Sequence, residues 1–197
     1  TNLLEIKIKQ LLRTGVADEI IVSSDCEKML KIAKDLGVKP IKREEYYTSD
    51  SVPMNEVYKH LADLCSYPHV LYVHVTSPLL SDKSLSECIK EYSCLDEPYD
   101  SLASVTKMHE YIWNKSKAVN YDPDHHPRSQ DLPEYYSLNF AVNIISKKDM
   151  INRRNIVGKK FYPYFLNKLE SIDVDTMFDF EIAEFMYSKR NKVEKLW

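Results

Sequence analysis

Glycine is scarce in this chain: Gly15, Gly37 and Gly158 are the only three in 197 residues. Phosphate-cradling loops need clustered glycines, because backbone N–H groups must approach the ligand with no Cβ in the way. No such loop can be drawn from three glycines so far apart. The four cysteines, Cys26, Cys65, Cys88 and Cys94, contain no CxxC pair, which argues against zinc and against a disulfide framework and fits free thiols in a reducing cytoplasm. Long apolar runs are missing as well. The longest, such as Val70 to Val75, fall far short of the roughly 20 residues that cross a bilayer, and no charged-then-apolar leader opens the chain. No excess of positive charge is present either, with 27 Lys and Arg against 30 Asp and Glu, a net charge of -3. That balance gives no general attraction to nucleic acid or to anionic lipid, so an anionic ligand would need a local basic pocket.

What is present is an alternation of periods. At 44% hydrophobic composition, one domain of this length can bury roughly 70% of its unfolded surface. Leu3, Leu4, Ile6, Ile8, Leu11 and Leu12 share a helix face, and Ile20 to Val22 reads as a buried strand. A second helix fits Glu27 to Leu36 with Gly37 at its stop, and a short strand follows from Val38 to Lys42. A helix begins near Pro53, runs through Val57, Leu61 and Leu64, and ends before Pro68. The strand Val70 to Val75, a helix from Ser81 to Leu95 with Ser81 as N-cap, and a strand from Ser101 to Thr106 come next. Such alternation predicts an α/β fold, a largely parallel sheet between helical layers. The pattern breaks from Asn114 to Tyr136, where prolines and paired histidines without period predict a flap. Leu138 to Ile145 and Phe161 to Leu166 read as extended, and Phe178 to Tyr187 as a closing helix.

In open α/β sheets ligands sit beyond the carboxyl ends of the strands. The segments there are Ser23 to Asp25, Arg43 to Ser51, His74 to Leu79 and the acidic run near Asp173. Asp173 and Asp175 stand two apart on an extended stretch, which points both carboxylates to one face. Magnesium takes one or two carboxylates together with water and substrate phosphates, so this pair suits a metal–nucleotide site. A cap from Asp175 or Asp179 on the following helix explains the same residues, and on spacing alone it is the simpler reading. Thr76 and Ser77 offer hydroxyls in a turn that ends in Pro78, and Arg43 could hold a phosphate or a base edge. The basic residues Lys147, Lys148, Arg153, Arg154, Lys159 and Lys160 read as a solvated face or a subunit contact.

Taken in order, these pieces resemble the acylneuraminate cytidylyltransferases. Leu3-Leu4 through Glu19 to Asp25 is similar to the family's first helix and second strand, and Arg43 with Asp50, then Val57 and His60-Leu61, to its nucleoside-binding segment and helix. Thr76-Ser77-Pro78-Leu79 is similar to its signature turn. Pro127-Arg128-Ser129-Gln130-Asp131-Leu132-Pro133, with Tyr136, Asn139 and Ala141, is similar to its sugar-binding flap and strand. Ser171-Ile172-Asp173-Val174-Asp175-Thr176 is similar to its metal-binding motif.

The resemblance implies a three-layer, Rossmann-like nucleotidyltransferase fold spanning residues 1–197, with a dimerisation flap over 114–136. It also implies a family strand and glycine-rich, lysine-bearing loop immediately before Thr1, which the sequence shown does not include. The implied reaction is attack by the anomeric hydroxyl of a sialic-like acid sugar on the α-phosphate of CTP, releasing pyrophosphate, for polysaccharide synthesis in the cytoplasm. Asp173 and Asp175 would hold Mg2+ and, with Arg128, act in catalysis. Arg43, Asp50, Ser51, His74, Thr76, Ser77, Gln130 and Asn139 would bind CTP and the sugar, in a homodimer with no nucleic-acid or membrane partner. His74 stands where the family usually has glutamine and Phe140 where it has glycine, which points to another 3-deoxy-2-keto acid sugar as an alternative. A noncatalytic dimeric nucleotide-binding scaffold is the second alternative.

Overall fold

The computed structural model of the chain describes residues 2–193; the boundary expected at Thr1 lies outside them. Helix α1 (Leu3–Thr14) begins at Asn2, whose side-chain oxygen accepts from the Glu5 N–H, and ends at Gly15, φ 61°, whose N–H reaches the Leu11 carbonyl. A left-handed residue at a helix end is the place where glycine avoids the strain any other side chain would meet. Strand β1 (Ile21–Ser24), helix α2 (Glu27–Asp35) and strand β2 (Lys39–Lys42) form a β–α–β unit, with β1 and β2 paired in parallel. Helix α3 (Met54–Leu64) then leads to β3 (His69–Val73), and α4 (Asp82–Ser93) to β4 (Ser101–Met108). Ser81 caps α4, its hydroxyl accepting from the Ser84 N–H at 3.0 Å. These elements lie within a few residues of their sequence-based bounds, because each has its own period and its own stop.

Past β4 no helix links one strand to the next, and the parallel rule lapses with it. The chain runs through a short hairpin, β5 (Trp113–Asn114) and β6 (Lys117–Ala118), and two single 3-10 turns, then returns as β7 (Tyr135–Ser146) antiparallel to β4. With β8 (Phe161–Phe165) the main sheet has the order β3-β7-β4-β8, and β7 is antiparallel to both its neighbours while β4 and β8 are parallel. The strands therefore share one direction except for β7, although that one reversal makes most of the pairings antiparallel. A return without a crossover helix brings a strand back beside its predecessor in the opposite sense. Strands β1 and β2 form a separate two-stranded sheet.

Helix α5 (Lys147–Arg153) follows β7 directly and was not anticipated: its residues read as charged surface, and only Met150 is buried, too little to reveal a period. Helix α6 (Met177–Val193) closes the chain. Helices cover both faces of the main sheet. On one face Leu11, Leu80, Leu85 and Cys88 pack on Leu102, Val142 and Ile144; on the other, Ala62 of α3 and Met150 of α5 pack on Val70 and Ile145. Ile144 and Ile145, adjacent in β7, thus serve opposite layers, as the strand period requires. This is the three-layer architecture, and each fully buried large aliphatic side chain contributes roughly 1.5–3 kcal/mol to it. Ile20 touches both the first of these clusters and a third one around Ile8, Ala33 and Val38, which joins the small sheet to the large one across α1. Among the described residues no helix is long and apolar enough to cross a membrane.

Candidate active site

Strand β3 stops at Val73, so His74 and Val75 belong to the turn beyond it, rather than to the strand predicted from the apolar run. The turn is held from below by α1. The buried Lys7 ammonium donates to the Ser77 carbonyl at 3.1 Å and to Gln10 Oε1 at 2.9 Å, while Gln10 Nε2 donates to the Leu80 carbonyl at 2.7 Å. It is also tied sideways, because the Val174 N–H donates to the Thr76 carbonyl at 2.9 Å. That single bond fixes the Asp173-Val174-Asp175 stretch against the carboxyl end of β3. The sequence pattern placed these two segments at the same edge of the sheet, and the backbone bond brings them into contact.

Of the two caps that the sequence allows for α6, Asp175 and Asp179, the structure has the second. Helix α6 is capped by a reciprocal pair, in which Asp179 Oδ2 accepts from the Thr176 N–H and hydroxyl and Thr176 Oγ1 accepts from the Asp179 N–H. This is a capping box with aspartate in the third position, and the Thr176 bonds hold the Asp179 carboxyl below its usual range. Asp175 contributes only through its backbone, and the residue is exposed. Asp173 is half-buried, and its Oδ1 is a buried oxygen with no hydrogen-bond partner. A buried carboxylate oxygen without a donor is costly unless a ligand or cation completes it. Hard oxygen donors of this kind suit magnesium, and no group of three or more potential ligands occurs among the described residues, so any ion there would depend on substrate oxygens to fill its shell.

Beside the pair lies a cavity of about 520 Å3. Asp173, Ser171 and Lys168 line one side, Thr106, Lys107 and Glu110 another, and Ser137, Leu138, Asn139 and Phe140 of β7 a third. The β7 wall is shaped by a bulge where the pairing with β4 shifts register between Ala103 and Val105. Asn139 holds that bulge: its Oδ1 accepts from the Ser104 hydroxyl and the Ala141 N–H, and its Nδ2 donates to Thr106 Oγ1 at 3.0 Å. Phe140 sits in the bulge at φ 55°. For a residue other than glycine that conformation costs roughly 1–2 kcal/mol, and it persists only where surrounding contacts enforce it. One such contact is with His74, whose ring stacks on Phe140 with centroids 5.8 Å apart and 21° between the planes. Burial holds the His74 imidazole below the usual histidine range; the Asp173 charge pulls the other way. Its Nε2 is buried and has no partner.

Of the residues singled out by sequence, Asp173 and Asn139 line the cavity, and His74 stacks against its Phe140 wall. Thr76 contributes its carbonyl to Val174, and Ser77, with 1% of its surface exposed, contributes its carbonyl to Lys7. Arg43 lies at the end of the small sheet, donating to the Ser23 carbonyl at 2.8 Å and to Ser23 Oγ at 3.2 Å. Asp50 is exposed, and the Ser51 hydroxyl shares a hydrogen bond with Ser49. Arg128 and Gln130 are on the flap and do not line the cavity; Arg128 forms a two-pronged pair with Asp131 at 2.7 and 3.2 Å. Lys168 escaped sequence reasoning altogether. A lone lysine in a loop resembles any solvated lysine, and the only available hint was its place five residues before Asp173.

The chain as a whole has counterparts among known proteins. An N-acylneuraminate cytidylyltransferase from Escherichia coli is 26% identical over 96% of this chain and 47% of its own length. A pseudaminic acid cytidylyltransferase from Campylobacter jejuni is 24% identical over 94% of this chain and 84% of its own length. The chain thus spans about half the length of the Escherichia coli relative. In fold it is similar to a CMP:2-keto-3-deoxy-manno-octonic acid synthetase solved with CTP, with a TM-score of 0.67 and 10% identity over 95% of this chain and 88% of the other. The sequence profile described as Cytidylyltransferase matches residues 1–189, nearly the whole chain, and the chain therefore belongs to the cytidylyltransferase family.

Proposed function

We propose that the protein transfers CMP from CTP to the anomeric hydroxyl of a sialic-like acid sugar and releases pyrophosphate. The observation that carries this reading is the Asp173-Val174-Asp175 stretch, bonded through Val174 to the turn after β3, with Asp173 on the cavity wall and its Oδ1 buried without a partner. The names of the relatives support the substrate class. In this reading the cavity holds the sugar. Lys168, an exposed cation on its rim, attracts the sugar carboxylate, and Lys107, paired with Glu134, adds positive potential beside it. The cavity places the anomeric hydroxyl near Asp173, so that attack on phosphorus becomes effectively intramolecular. Arg43 and Asp50, at the end of the small sheet, serve the nucleoside, and the neutral His74 ring orients the sugar through the Phe140 wall. Asp173 and Asp175 would hold Mg2+, whose chemistry is to neutralise charge on the phosphates as it builds during transfer.

Two further features belong to the same reading. The flap would meet a second copy, a reading that the exposed Trp113, Val119 and Tyr135 support, and Arg128 and Gln130 would act across that boundary. The reaction is placed in the cytoplasm, where CTP is made.

Pyrophosphate release from CTP, Mg2+ and a panel of acid sugars tests this with the full-length protein. Asp175→Asn is expected to lower turnover about a thousandfold, roughly 4 kcal/mol of barrier, with the far-UV circular dichroism unchanged. Undiminished turnover in that variant would refute the metal assignment. If the wild-type protein released no pyrophosphate with any sugar yet bound CTP, the scaffold reading would replace the enzymatic one.

A further inference from the structure

Residues 77–80, in the turn after β3, are all buried, and the groups that hold them are of an uncommon kind. Among the described residues only two side chains of lysine, arginine, aspartate or glutamate are buried, Lys7 at 2% exposure and Glu170 at 7%. Both bond to the backbone of this one turn. Lys7 donates to the Ser77 carbonyl. Glu170 Oε1 accepts from the Ser81 N–H at 2.8 Å, and its Oε2 accepts from Asn167 Nδ2 at 2.7 Å. Burying either kind of group is costly and is tolerated only where such bonds replace the lost water. The centre of the main sheet is secured without that cost. From Ser101 to Val105 and from Ala141 to Ile145 the buried polar side chains are the neutral Ser101, Ser104 and Asn143.

Glu170 belongs to the loop that carries the acidic stretch. Asn167 Oδ1 accepts from the Leu169 and Glu170 N–H groups, and the Ser171 hydroxyl donates to the Asn167 carbonyl at 2.7 Å, so residues 167–171 form one bonded unit. The loop grips the turn at two places, through Val174 at Thr76 and through Glu170 at Ser81. Helix α1 grips it between them, through Lys7 at Ser77 and Gln10 at Leu80. Asp173 lies between the two loop grips.

Resting on the cytidylyltransferase reading, we propose that Lys7 and Glu170 are positioning residues: together they fix the turn and, through it, the place of Asp173 on the cavity wall. Neither lines the cavity. Their effect is on orientation, and a misplacement of about 1 Å at a reacting group lowers a rate about a hundredfold.

Two measurements on the full-length protein test this. Amide hydrogen exchange without substrate reads the link itself. Lys7→Met removes the donor to Ser77 and should speed exchange in residues 167–176 about tenfold more than in residues 101–105, because local opening of the loop precedes global unfolding. Pyrophosphate release from CTP, Mg2+ and an acid sugar, well below each melting temperature, reads the consequence. There kcat should fall about a hundredfold in Lys7→Met and in Glu170→Ala. Glu170→Gln keeps an oxygen for the Ser81 N–H and should retain most of the activity. Leu102→Ala, which weakens the sheet centre, should leave kcat unchanged. If Lys7→Met does not fold, the two Glu170 variants carry both measurements. Equal acceleration of exchange in the two segments, a wild-type kcat in the Lys7→Met or Glu170→Ala variant, or a loss in Glu170→Gln as large as in Glu170→Ala would overturn the inference and leave the enzyme reading standing. A wild-type protein that releases no pyrophosphate would end the enzyme reading, and the exchange measurement would still decide whether these residues fix the loop.

Discussion

The two ends of β7 make different uses of one strand. From Ala141 to Ile145 every residue is buried, and each pairs with or packs on β3 and β4. From Tyr135 to Phe140 none is fully buried, and this half lines the cavity or faces the flap. The boundary is the bulge at Phe140. Strand β4 repeats the division, buried from Ser101 to Val105 and open from Thr106 to Met108. The same two strands therefore supply the centre of the fold at one end and a binding surface at the other, and a bulge that breaks the ladder lets the second end adopt a shape the first could not tolerate.

If that division is sound, damage at one end should appear as lost stability and damage at the other as altered chemistry. The largest stability effect is expected at Leu102, fully buried and opposite Ile144 of β7 and Tyr162 of β8. Leu102→Ala should cost about 2–5 kcal/mol, the lost transfer energy plus an unfilled cavity, measured by urea unfolding. Its preference between acid sugars should match the wild type. A changed preference would mean that the core end and the cavity end are not independent.

The core end was also the more legible in the sequence. Helices α1, α2, α3 and α4 and strands β1, β3 and β4 follow from apolar period and from stops such as Gly37 and Pro68, because a buried face leaves a repeating mark. Strand β7 was visible from Leu138 to Ile145, but its reversal only indirectly, as the loss of helical period from Asn114 to Tyr136. Little of the cavity end was legible. Asp173 and Asp175 stood out by spacing, but which aspartate caps α6 showed only in the Thr176–Asp179 bonds. Lys168 gave no signal, and the strain at Phe140 exists only once β7 is paired with β4. Period reports burial, and a cavity wall is a place where burial is incomplete.

A moderate effect is expected where the cap of α6 adjoins the acidic pair. Thr176→Ala removes the acceptor for the Asp179 N–H and one donor to its carboxylate, and should lower stability by about 1 kcal/mol. Thr176 follows Asp175 directly, so the variant asks how far the metal stretch depends on the helix behind it. Because Val174 is bonded independently to Thr76, thermal melting should shift while KM for CTP does not. A rise in KM matching the loss of stability would show that the cap, and not the bond to the β3 turn, positions the pair.

The smallest effect on stability belongs to the flap. The Arg128–Asp131 pair is short but lies three residues apart on the surface, with 73% and 47% of the two side chains exposed. Solvent-exposed pairs of this kind contribute about 0–1 kcal/mol, and Arg128→Ala should scarcely move the melting temperature. Its activity is the sharper measurement. Within one copy Arg128 does not line the cavity, so an effect on the sugar KM requires the flap to reach a second copy. Arg128→Ala should then raise the sugar KM and leave the CTP KM unchanged. The rise should vanish at protein dilutions where sedimentation shows only monomer, because there the wild-type protein lacks the contact too. A sugar KM equal to the wild-type value at every concentration would remove Arg128 from the site and leave the flap as a surface loop with a stable local fold.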